Sequence, residues 1–153
     1  MKWKSNRLVA ALVLAALPFG AAQAGDSFVG RVTAVKGANL ITMTQGDTTY
    51  EVRINGIVVD ERAAFALEAR RTLAALVLDK TVRLRFDGLS DGLMTGRIKI
   101  GGIGKPEETV KDLGVEMVRA GVVRADANYS KYKYGQMAEA EAEARQNRRG
   151  VWR

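Results

Sequence analysis

The run Arg53-Ile-Asn-Gly-Ile-Val-Val-Asp-Glu61 sets a guanidinium ahead of two adjacent carboxylates, and Gly96-Arg97 supplies a second guanidinium further along. Arginine forks hold carboxylate and phosphate oxygens bidentately, so two of them near acidic groups make an anion-binding pocket. The chain has no histidine and no cysteine. That excludes Ser-His-Asp and Cys-His nucleophilic catalysis and every His-ligated zinc site. Hydrolytic chemistry here would have to use carboxylates, arginines, water and an oxygen-liking metal. Each arginine also has an ordinary structural reading, in which it pairs with a neighbouring carboxylate such as Glu51 or Glu61.

Elements of the right kind to present these groups follow from side-chain periodicity. Tyr50, Val52 and Ile54 alternate with Glu51, Arg53 and Asn55, which places Arg53 on the polar face of a strand. Strands are expected over 28–35, 39–45 and 48–55, the last two joined by a tight turn at Gln45-Gly46-Asp47. Phe65, Ala69, Leu73, Leu76 and Val77 give a helix over 62–78, and Val82, Leu84 and Phe86 give a fourth strand. A fifth strand over 93–100 turns Arg97 toward the polar side. Gly101 to Pro106 end it, and a second helix carries Val110, Leu113, Met117 and Val118 with Glu107 and Glu108 in its first turn. A third helix is expected from about Tyr134 to Arg148, with Arg145, Arg148, Arg149 and Arg153 facing solvent. Five short strands with a helix between the third and fourth predict an α+β fold, a five-stranded OB-fold Greek-key β-barrel with three α-helices.

Lys2, Lys4 and Arg7 precede an apolar run from Leu8 to Leu17 and then Ala22-Gln23-Ala24, the pattern of a cleavable signal peptide over residues 1–24. The expected product is one exported domain over 25–153, periplasmic or secreted, with no membrane span. Loss of the three basic residues lowers the net charge from +7 to +4, a bias that permits attraction to nucleic acid without identifying it.

In strand and helix order, in the Arg53 to Glu61 loop, in Gly96-Arg97, in Val118-Arg-Ala-Gly121 and in Ala140-Glu-Ala-Glu-Ala-Arg145 with Gly150-Val-Trp152, the chain resembles the staphylococcal-nuclease-like (thermonuclease) family. The family loop is usually Arg-Leu-x-Gly-Ile-Asp-Ala-Pro-Glu. Here Val58 stands at the Asp and Asp60 at the Pro. The resemblance implies a nuclease that hydrolyses DNA and RNA with one Ca2+ held by two Asp. By position, Glu61 would prepare the attacking water, and Arg53 and Arg97 would neutralise charge at phosphorus. The family's Asp-Gly-Asp-Thr falls on Lys36-Gly37-Ala38-Asn39, so Ala38 and Val58 occupy the two calcium-ligand positions and Lys36 adds a positive charge. Calcium affinity depends on the number of charged ligands, so no calcium site of the family type is expected.

Asp60 is the residue best placed to rescue a metal site beside Glu61, and its alternative is to cap the first helix. Gly46-Asp47-Thr48 imitates the missing signature but reads as a hairpin turn. Tyr129, Lys131, Tyr132 and Lys133 mix rings and cations as nucleic-acid-binding surfaces do, or else cover the third helix. Three functions remain open at this level. The first is a nucleic-acid- or phosphate-binding domain with weak or lost hydrolysis. The second is an active nuclease with a rearranged metal site using Asp60 and Glu61, with Asp47 a further contributor. The third is a periplasmic protein-interaction module that binds no nucleic acid.

Overall fold

In the computed structural model, residues 22–129 and 131–153 are described, without the side chains of 130–134. The expected signal segment up to residue 21 lies outside the described residues, as do the side chains of Lys131, Tyr132 and Lys133.

β1 (Ser27–Val35), β2 (Leu40–Gln45) and β3 (Thr48–Ile54) form an antiparallel meander in which Val32, Ile41, Met43, Val52 and Ile54 are buried. The turn between β2 and β3 is Gly46-Asp47, with Gln45 opposite Thr48 and Gly46 at φ +57°, so Asp47 is a turn residue at the end of a hairpin. After β3, the two-residue β4 (Ile57–Val58) leads into α1 (Ala63–Val77), which buries Ala69, Leu73 and Val77 at successive turns. In β5 (Thr81–Ser90), Val82, Leu84 and Phe86 point inward while Thr81, Arg83 and Arg85 point outward. β6 (Leu93–Ile100) returns antiparallel through a turn at Asp91-Gly92. The sheet order is β3-β2-β1-β5-β6, and a parallel β3–β6 pairing closes it into a five-stranded barrel. This is the expected α+β OB-fold barrel with three helices.

β7 (Lys111–Asp112) adds to the edge of β6, and α2 (Leu113–Arg119) begins directly after it. The second helix is therefore shorter than its apolar pattern predicts. Glu107 and Glu108 lie before it, and Val110 is 57% exposed. The cause is local: Lys111 and Asp112 are held by β6, and the Asp112 carboxylate accepts the Val115 N–H at 3.2 Å, fixing the helix start. β8 (Arg124–Ala125) pairs with β4, so the chain after α2 is stitched to the chain after β3. α3 (Lys131–Gln146) packs on α2 through Met137, Ala140 and Ala144, where small side chains allow close approach. Among the described residues, no helix is long and apolar enough to cross a membrane.

The C-terminal Gly150-Val151-Trp152 forms a short 3-10 turn locked to the end of α2. The Val151 N–H donates to the Gly121 carbonyl at 2.9 Å, Gly121 sits at φ +74°, and a Cβ there would meet the Arg149 carbonyl well inside van der Waals contact. Glycine is required at 121 on both counts. Gly121→Ala is expected to lower the unfolding free energy by about 2–4 kcal/mol, measured by urea denaturation.

Candidate functional site

Arg53 and Arg97 share one outer face of the barrel. In the parallel ladder Arg53 stands opposite Thr95, and Arg97 is the next residue on that face of β6. Their environments differ. The Arg53 side chain is 37% exposed and, among the described residues, pairs with the Asp91 carboxylate alone, at 3.4 Å, and Asp91 is itself 81% exposed. Such a surface pair contributes about 0–1 kcal/mol, so Arg53 is free to exchange this partner for another anion.

Arg97, expected toward the polar side of its strand, lies there but is buried, with only 8% of the residue exposed. Strand alternation does put it on the outer face, where the Asp112 carboxylate, carried by β7 at the start of α2, is set against it. Its NH2 group lies 2.6 Å from the Asp112 carboxylate, whose side chain is 3% exposed, and Lys99 reaches the same oxygen at 3.2 Å. The contact is mainly a charge contact: neither Arg97 Nε nor that Asp112 oxygen has hydrogen-bond geometry with a described partner.

Beside this pair, a bulge in β5 between Phe86 and Gly88 turns out Asp87. Asp87 accepts from Asn55 Nδ2 at 3.1 Å and from the Tyr129 hydroxyl. Burial and then the Asp87 carboxylate push the Tyr129 phenol well above its ordinary pKa. Its ring stands over Gly56, where φ is +85° and a Cβ would fall 2.9 Å from the ring. Tyr129 is thus half-buried, with its hydroxyl committed to Asp87. Asn55, Asp87 and Asp112 were not picked out by sequence pattern, although Asp112 directly before the apolar Leu113 carries a helix N-cap signal.

Glu61 is exposed, and no hydrogen bond or ion pair joins it to either arginine. Asp60, by contrast, is tied down. One oxygen accepts from the Arg62 backbone N–H at 3.0 Å and from Arg62 Nε at 2.9 Å. The other faces Arg62 NH2 at 2.7 Å and Arg124 NH2 at 3.4 Å. These guanidinium bonds, those of Arg62 foremost, hold the Asp60 carboxyl well below the usual carboxylate range. Arg124 also lies over the Trp152 ring, which Arg145 covers at 4.2 Å while bonding Glu141 at 2.6 Å. Arg149 pairs with Glu143 and Arg153 with Glu68, both at 2.8 Å, so these basic residues are partnered rather than simply solvated.

Calcium does not fit this donor set. Ala38 packs against the core, Val58 is 46% exposed alkyl surface, and Lys36 places its ammonium on Glu51 at 2.8 Å. Among the described residues, no three Asp or Glu side chains come together to hold a metal. The Asp60 oxygens face two guanidinium groups, which repel a dication.

A family model described as staphylococcal nuclease homologue matches residues 41–153. The match begins just after Ala38 and includes Val58, Arg53, Glu61 and Arg97. No curated protein matches the chain.

Two outcomes are expected. Asp112→Ala leaves Arg97 buried and unpaired and removes the α2 cap, lowering stability by about 3–5 kcal/mol in chemical denaturation. Asp60 has a folded-state pKa below its unfolded value, so its contribution is present above about pH 3.9 and is lost as pH falls through the folded value. The stability difference between wild type and Asp60→Asn should therefore be largest near neutral pH and shrink toward zero in acid, read from urea midpoints across pH.

Proposed function

Because the chain belongs to the staphylococcal nuclease family, we propose that its mature form is an exported domain that binds nucleic acid or phosphate at Arg53 and hydrolyses phosphodiesters weakly or not at all. The observation that carries this reading is the replacement of both expected calcium carboxylates by Ala38 and Val58 while Arg53 keeps an exposed guanidinium and only a loose partner. An anion pocket needs the arginine alone, whereas metal-assisted hydrolysis needs oxygen ligands that these positions lack. The leader pattern of Lys2, Lys4 and Arg7, the apolar run after them and Ala22-Gln23-Ala24 supports export.

The reading in which Asp60 rebuilds a metal site is opposed by the bonds of both Asp60 oxygens to Arg62 and Arg124. Metal binding there would first break charge-assisted contacts and then set a dication beside two guanidinium groups. Glu61 alone offers one carboxylate.

The mature chain and its Glu61→Ala variant, incubated with single- and double-stranded DNA and with RNA under EDTA, calcium, magnesium or manganese, should be equally inert. Oligonucleotide binding by wild type should persist in EDTA and weaken in Arg53→Ala. Metal-dependent cleavage that disappears in Glu61→Ala would overturn the proposal. Absence of any binding would leave the protein-interaction reading.

A further inference from the structure

Four cations face one another across β5 and β6, with Arg83 and Arg85 exposed, Lys99 partly exposed and Arg97 buried. The antiparallel register sets Arg83 opposite Lys99 and Arg85 opposite Arg97, and like charges directly opposite on a sheet destabilise it. The acids nearby do not cancel them. Asp112 serves Arg97 and Lys99, and Asp79 serves Arg31 at 3.5 Å. Arg83 and Arg85 are exposed and, among the described residues, have no ion pair. On the other side of β5 their cross-strand neighbours are Val29 and Ser27 of β1, neither of them acidic.

We infer that this outer β5–β6 face, with Arg83, Arg85 and Lys99 as its contacting residues, is a track for the sugar-phosphate backbone of nucleic acid, separate from the Arg53 pocket. The inference takes the class of polymer from the function proposed above and the place from the strand register. Repulsion between opposed cations is relieved when an anion lies between them, so a polyanion binds here with release of its counterions. Arg83 and Arg85 are two residues apart on one strand, about 7 Å, and Lys99 lies across from the first. That is a row of separated charges suited to a repeating anion rather than a pocket for a single one.

A membrane surface fits less well. Interfacial binding needs apolar side chains that insert, and of the exposed large hydrophobics only Leu89 lies on these strands, paired with Met94 on the other side of the sheet. Among the described residues β5 and β6 present no aromatic side chain on this face to stack on bases, so contact is with phosphates and carries no sequence preference.

The test uses fluorescence anisotropy of labelled single-stranded and duplex DNA over a salt series, with the mature wild type, Arg83→Glu/Arg85→Glu, Arg83→Gln/Arg85→Gln and Arg53→Ala. Both double variants should bind at least about tenfold more weakly and lower the slope of log affinity against log salt by about 2. The Glu pair should also raise the thermal midpoint by about 1–4 °C by turning repelling cross-strand pairs into attracting ones. That rise separates lost binding from lost folding. Double variants that bind like wild type overturn the inference, and if Arg53→Ala is then weakened, the pocket reading stands without it. Wild type that binds no DNA overturns both. Binding to phosphatidylglycerol vesicles without binding to DNA assigns the face to membranes and overturns it as well.

Discussion

The barrel closes where three strands meet at Gly96. This residue pairs with Ile54 of β3 on one side and Phe86 of β5 on the other, and its carbonyl accepts the Asn55 N–H at 2.9 Å. A Cβ there would collide with the Arg85 carbonyl and lie 2.7 Å from a Leu84 methyl. Only hydrogen fits, and everything in the candidate site follows from that approach. It places Arg53 and Arg97 on adjacent strands of one face. It also sets Asn55 beside the β5 bulge, so that Asp87 can take both the Asn55 amide and the Tyr129 hydroxyl.

Closure brings cations together, and the structure manages them unevenly. Asp112 holds Arg97, attracts Lys99 and caps α2 at once, so a single carboxylate links the barrel face to the helix that carries α3. The loop after β4 is held by the same kind of chemistry: Asp60 joins Arg62 and Arg124, and Arg124 continues over Trp152 toward Arg145 and Glu141. Guanidinium groups here neutralise the charge that a bound metal would otherwise meet. Among the described residues Arg83 and Arg85 have no ion pair, although they face Lys99 and Arg97 across the sheet.

Strand periodicity made the barrel legible, because Val82, Leu84 and Phe86 or Val52 and Ile54 each report a face that must be buried. It put Arg97 on the polar side without showing that it is buried there, since alternation tells which side of a sheet a residue takes but not what later covers that side. What meets Arg97 is the Asp112 carboxylate of β7, a strand only two residues long, and no periodicity can be read from two residues. The helix expected from Glu107 failed for the same reason: the apolar stripe counts Val110, whereas the helix start is set by Asp112 bonding Val115. The extension of β5 to Ser90 carried a readable signal in Asp91-Gly92, a pair suited to a two-residue hairpin with φ of +53° and +75°. Tyr129 showed its residue type in sequence, but its commitment to Asp87 depends on a bulge that no spacing announces.

The two arginines singled out in the sequence therefore do not carry the same weight. Arg97 is bound into a buried ion pair, and its removal would strand Asp112, so its presence is explained by stability whether or not phosphate ever approaches. Arg53 has no such explanation. Its contact with Asp91 is long, exposed and nearly without energetic consequence, and a solvent-facing strand position accepts many polar residues at little cost. In the function proposed above, that guanidinium is available to an anion from outside the protein. Under the proposed function, Arg53 is the part of the site that would bind phosphate, and Ala38 and Val58 stand where metal carboxylates are expected.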